Sequence, residues 1–154
     1  MDITDLISTD GIIPSLRVTS KKQLLQELAR KASALTGVEA REIFDVLLER
    51  ERLGTTGVGS GIAIPHGKLA KLDRLYAVFA RLEKPVEFDS IDDEPVDLVV
   101  LLLAPEAAGA DHLKALARVS RLLRDRTVCT KLRGCETVDA IFALFSDAAA
   151  SHAA

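Results

Sequence analysis

Tryptophan is absent from this 154-residue chain, tyrosine and methionine occur once each, and cysteine only twice. Aromatic residues at 4% leave little on which to stack nucleobases, and a net charge of −3 gives no electrostatic footprint for a phosphate backbone. A nucleic-acid role is excluded on both counts. The longest unbroken apolar run, Leu98–Ala104, is far too short to span a bilayer, so no membrane insertion is expected. Met1-Asp2-Ile3-Thr4-Asp5 is acidic and lacks the basic and apolar regions of a secretory signal. Cys129 and Cys135 form no C-x-x-C and read as buried or idle thiols, with nothing pointing to an oxidising compartment. The expected location is the cytoplasm.

Several catalytic templates are missing as well. The three histidines form no H-x-x-x-H or H-E-x-x-H pair, so metal ligation has weak support. Gly57-x-Gly59-x-Gly61 is not a dinucleotide fingerprint, because Ile62 stands where the third glycine belongs. No Gly-Lys-Ser/Thr ends a phosphate-binding loop, and Ser60 lacks the flanking glycines of a nucleophile elbow. No cofactor is expected.

What is present is one domain's worth of chain, 48% hydrophobic and 28% charged, as in ordinary globular folds. Residues 2–8 read as a short opening helix or turn, and Gly11–Val18, with Pro14, as a strand near a sheet edge. Ser20 and Gln23 read as a capping box for a helix carrying Leu24, Leu25, Leu28, Ala32 and Leu35 and ending at Gly37. A second helix is expected over 39–53, with Ile43, Phe44, Leu47 and Leu48 inward, and with Arg50 and Arg52 in a last turn whose dipole favours cations. Strands follow at 75–82 and 98–104, the latter apolar on both faces and therefore central. The acidic stretch between them, 83–95, reads as solvated loop. Asp111 is the expected cap of a helix to Arg124 with Leu113, Leu116, Ala117, Val119, Leu122 and Leu123 inward. Helices at 127–133 and 137–146 and a frayed tail over about 147–154 complete a single α/β domain, a mixed sheet between helical layers.

The chain is organised around Gly57-Val58-Gly59-Ser60-Gly61-Ile62-Ala63-Ile64-Pro65-His66-Gly67. The glycines permit close backbone approach, Ile62-Ala63-Ile64 is a short buried strand, and Pro65 fixes the backbone just before His66. His66 is thus expected where a rigid strand ends in a turn, with little bulk in front of the ring. An ordinary, satisfied turn histidine is the competing reading. A histidine with one free ring nitrogen is a competent nucleophile when the other is held by an acceptor. A nearby guanidinium suits phosphate oxygens, and Arg50 and His112 are the possible neighbours. These parts fit a reversible phospho-carrier better than a pocket enzyme.

Arg50-Glu51-Arg52-Leu53-Gly54-Thr55-Thr56 followed by that run strongly resembles the signature of type-2 enzyme IIA domains, the mannitol/fructose class of the phosphoenolpyruvate-dependent phosphotransferase system. Pro95-Val96-Asp97-Leu98-Val99 and His112-Leu113 extend the resemblance over nearly the whole chain. The resemblance implies a mixed five-stranded sheet with helices on both faces. It implies phosphorylation of His66 on Nε2 by a phosphohistidine of an HPr-like carrier, His112 steadying the phosphoryl group, Arg50 balancing its charge, and no metal. Thr55-Thr56-Gly57 and His66-Gly67-Lys68 look most like the nitrogen-regulatory branch, whose phosphorylation state alters binding to targets such as sensor kinases or potassium-transport components. Two alternatives stand beside that one. The chain could be a sugar-specific enzyme IIA serving a separate IIB–IIC permease, or a binding module without covalent chemistry.

Overall fold

The computed structural model describes residues 2–152. Its elements in chain order are α1 (Ile3–Leu6), β1 (Ile12–Leu16), α2 (Lys21–Thr36), α3 (Ala40–Arg52), β2 (Gly57–Gly59), β3 (Ile62–Ala63), β4 (His66–Leu69), β5 (Tyr76–Val86), β6 (Val96–Pro105), α4 (Ala110–Arg124), α5 (Arg126–Arg133) and α6 (Val138–His152). They build a single α/β domain on one mixed sheet of order β1-β5-β6-β3-β2, with β4 also paired to β6. No described helix is long and apolar enough to cross a membrane.

The sheet has six strands rather than the expected five, and its register explains the difference. Ile62 pairs with Leu98 and Ala63 with Val99, then His66 pairs with Leu102 and Gly67 with Leu103, all parallel. The offset never changes, so β3 and β4 are two pieces of one strand line. They are separated at Ile64-Pro65, where proline has no N–H to give the ladder. Pro65 still accepts a hydrogen bond from the Leu102 amide at 2.9 Å. His66 therefore opens the second piece of a strand instead of sitting in a turn, a correction to the sequence reading.

Side-chain alternation along β6 divides the core. Val99, Leu101 and Leu103 face one cluster, with Leu24, Leu25 and Leu28 of α2 and Ile43 and Leu47 of α3. Leu98, Val100 and Leu102 face the other, with Ala115, Val119 and Leu122 of α4 and residues of α5 and α6. Both faces are thus covered by helices, which is why β6 carries no polar residue from Leu98 to Ala104. β1 lies at the edge beside β5, the position that tolerates Pro14.

Other expectations shift for local reasons. The Ser20 hydroxyl accepts from the Gln23 amide at 3.1 Å, but Gln23 accepts from the Thr19 amide at 2.8 Å, not from Ser20. β5 runs on to Val86 because it pairs with Val96, so Glu83 is a strand residue held by Ser15 and Arg17. Gly109, at φ 55°, precedes α4 in place of Asp111, which lies inside the first turn. The inner face of α4 is His112, Ala115, Val119, Leu122 and Leu123, whereas Leu113 is 67% exposed. Two apolar stripes were compatible with the sequence, and packing selects the one containing a histidine. α6 continues six residues past Ser146, to His152, while Ala153 and Ala154 of the expected tail lie outside the described residues.

Candidate active site

The glycine-rich run forms a tight hairpin. Gly59 pairs with Ile62, leaving Ser60 and Gly61 as a two-residue turn with φ of 58° and 82°. Positive φ at both central positions gives the primed turn that matches strand twist. The turn is clamped from both sides. Asp92 accepts from the Ser60 amide at 2.9 Å, and Arg133 donates to the Ser60 carbonyl at 2.9 Å while gripping Asp97 through two bonds of 2.8 and 3.0 Å. Asp92, from the stretch read as solvated loop, is therefore a structural ligand of the hairpin.

Beyond the hairpin, Ile64 donates its amide to the Thr56 carbonyl at 3.0 Å, on the side away from β6. Its own carbonyl lies 2.9 Å from Nδ1 of His66. A carbonyl can only accept, so Nδ1 carries the proton and the neutral ring keeps its lone pair on Nε2. Arg50 donates its Nε–H to that Nε2 at 3.2 Å and its Nη1 to the Gly54 carbonyl at 2.9 Å. The arginine thus bridges the end of α3 to the imidazole. Arg52, by contrast, reaches only Glu49, as an exposed helix-end cation does.

His112 approaches from the opposite layer. His66 and Leu102 are register partners, and Leu102 belongs to the α4-side cluster, so the imidazole stands on that face. The two histidine rings are 5.7 Å apart at their centroids, inclined by 59°. His112 is only 7% exposed, and its Nε2 has no hydrogen-bond partner among the described residues. A buried polar nitrogen left without a partner costs free energy, which is offset if a ligand supplies the missing bond. The sequence reading placed His66, Arg50 and His112 as possible neighbours, and the fold brings all three together.

Burial, with help from the Arg50 charge, holds the His66 pKa below its ordinary 6.5, against the Ile64 hydrogen bond and Glu51, which raise it. Burial likewise lowers His112, followed by the charges of His66 and Lys68. Both rings are consequently neutral at physiological pH.

Four further residues, Glu51, Lys21, Lys68 and Gly67, support the centre in roles that the sequence analysis did not assign. Glu51, next to Arg50, is buried and accepts from the Thr56 amide at 3.1 Å and from the Thr56 hydroxyl. Lys21 at the start of α2 balances its charge at 2.9 Å. This network fixes the loop between α3 and β2. A carboxylate in the last helical turn, where the dipole disfavours it, was the available signal. Lys68 is two residues beyond His66 in a strand, hence on the same face and close enough to influence His112. Gly67 faces the other way, and a Cβ there would stand 2.6 Å from Cγ1 of Val46 on α3. The missing side chain lets α3 come close enough to deliver Arg50. Among the described residues no three histidine, cysteine or acidic side chains are grouped so as to hold a metal ion.

Residues 5–148 match the family described as "Phosphoenolpyruvate-dependent sugar phosphotransferase system, EIIA 2". A nitrogen regulatory protein of Bradyrhizobium diazoefficiens is 59% identical over 146 residues, covering 95% of either chain. Among solved structures, the nitrogen regulatory protein IIA-Ntr of Neisseria meningitidis superposes with a TM-score of 0.88 at 31% identity, over 93% of this chain and 98% of the other. Enzyme IIAMtl of Escherichia coli, solved in complex with phosphorylated enzyme IIBMtl, shares the fold with a TM-score of 0.77 at 21% identity, over 92% and 97% of the two chains. The chain therefore belongs to the type-2 enzyme IIA family and is a phosphotransfer component of the phosphoenolpyruvate-dependent phosphotransferase system.

Proposed function

We propose that His66 is the residue that carries the phosphate, taking it on Nε2 from a phosphohistidine of an HPr-like donor. One observation carries the assignment: the Ile64 carbonyl holds the proton on Nδ1, leaving the Nε2 lone pair available beside Arg50. In the transfer that lone pair forms the new N–P bond as the donor's N–P bond breaks and its electron pair returns to the donor imidazole. No proton need move on either reacting imidazole. The phosphorylated ring gains positive character, which the Ile64 carbonyl stabilises through Nδ1–H. Arg50 exchanges the ring nitrogen for a phosphoryl oxygen, and the unpartnered Nε2 of His112 donates a second hydrogen bond once it carries the proton.

Around this chemistry we place a regulator that works in the cytoplasm, in nitrogen or potassium metabolism, with phosphate on His66 deciding which targets it binds. Sensor kinases and potassium-transport components are the target classes proposed. The names of the relatives, the first 59% identical, support this branch over sugar uptake. The test begins with a phosphorylated HPr-type donor and acid-labile phosphate as the readout. Wild type should become labelled and His66→Ala should not. Label persisting in His66→Ala removes the proposal. Partners recovered with wild type and with His66→Asp should then differ, whereas onward transfer to a IIB domain, with an unchanged partner set, would select the sugar-specific alternative.

A further inference from the structure

A second concave site lies on the same strand line, away from the histidines. It is a cleft of about 680 Å³ between the β2–β3 hairpin and the α4–α5 corner, a volume typical of small-molecule sites. Neither His66, Arg50 nor His112 lines it, and Ser120, the lining residue of α4 nearest His112, is eight residues beyond it, about 12 Å along the helix. The active centre is therefore not part of it.

The lining fixes the chemistry of an occupant. Arg124, Arg126 and Arg133 all contribute, yet none of the chain's 23 acidic residues does. Asp92 at the rim holds the Ser60 amide and Asp97 offsets Arg133, so the cationic character of the lining comes from Arg124 and Arg126. Arg133 is already engaged by Asp97 and by the hairpin. Arg124 and Arg126 are both exposed, and Arg124 donates to the Ser120 carbonyl at 3.5 Å. Ile62, Ile64 and Leu123 supply an apolar floor, while Ser120 and Thr130 add hydroxyls. The Cys129 thiol, its pKa raised by burial, stays neutral and adds no opposing charge.

We propose that this cleft is an effector site for a small organic anion, its phosphate or carboxylate held by Arg124 and Arg126 and its apolar body lying on Ile62, Ile64 and Leu123. Ile64 connects the cleft to the active centre, since its side chain lines the floor and its carbonyl holds the His66 ring. Binding follows from the cleft alone. Its regulatory meaning rests on the phospho-carrier reading above.

Calorimetric titration with phenyl phosphate, octanoate and inorganic phosphate tests the inference and separates the two head groups. At least one of the two body-bearing anions should bind about tenfold or more tightly than inorganic phosphate, because only they use the apolar floor. The Arg124→Ala/Arg126→Ala double variant, both sites being exposed, should fold normally and lose about tenfold or more of that affinity. His66→Ala should bind as wild type does, so that failure here is distinguishable from failure of phosphate transfer. Occupancy should also shift the His66 imidazole resonances in NMR spectra. No binding of either body-bearing anion, binding indifferent to the double variant, or capture of an acidic peptide in their place overturns the proposal. Binding without a response at His66 overturns its role as an effector site.

Discussion

At the scale of single residues the centre depends on which nitrogen holds a proton. Arg50 keeps His66 from protonating both by its charge and by donating to Nε2. Replacing Arg50 with alanine should raise the His66 pKa towards 6.5, measurable by NMR titration of the ring, and slow phosphate transfer by about tenfold or more. A variant with unchanged titration and rate would reduce Arg50 to a helix-end cation. The two depressed histidines also set an acid dependence of stability. Well above pH 6.5 both rings are neutral in the folded and unfolded chain and add no slope. As pH falls through 6.5 the unfolded chain takes up protons first, so stability declines until the folded pKa values are passed. Urea midpoints between pH 7.5 and 5.5 should therefore drop more for wild type than for a chain with both histidines replaced by glutamine. His66 was legible in the sequence because glycine spacing and Pro65 are local signals. Arg50 and His112 became convincing only through the family resemblance, since nothing local says which of several arginines meets an imidazole sixteen residues away.

Among the elements, the helices of the α2–α3 layer were read nearly to their ends because apolar spacing and Gly37 mark them plainly. The short strands were not separable. β2, β3 and β4 have three, two and four residues, lengths at which alternation carries almost no information and pairing with β6 decides. α4 shows the same limit differently, since Leu113 and His112 lie on neighbouring stripes and only contact with β6 chooses between them. Gly67 is the element-scale hinge of the site. Gly67→Ala would drive a methyl into Val46, whose branched side chain has little rotamer freedom to yield. The expected cost is about 1–3 kcal/mol in thermal or urea unfolding, with slower phosphate transfer as α3 and Arg50 are pushed outward. Equal stability in the two proteins would show that the α3–β4 contact is looser than described.

For the whole molecule the question is how partners arrive. Few large apolar side chains are exposed, and two of them flank the centre: Leu53 at the end of α3, 85% exposed, and Leu113 beside His112. Within the acidic stretch, Asp92 ties down the hairpin. The two apolar side chains, Leu53 and Leu113, are expected to contribute to docking. Leu53→Asp and Leu113→Asp are expected to raise the KM for a phosphorylated HPr-type donor by about tenfold while leaving kcat within about twofold, with folding unaffected at these exposed positions. A large fall in kcat with KM unchanged would place both residues in the chemistry instead of the approach.

The proposed phosphate site is assembled from three separate layers: Arg50 comes from the helices on one side of the sheet, His112 from those on the other, and His66 from the sheet between them. Transfer competence is thus a readout of the complete sandwich. Detaching either helical coat leaves the remaining strands with an inert imidazole, so the catalytic signal should vanish at the first sub-global opening and never outlast it.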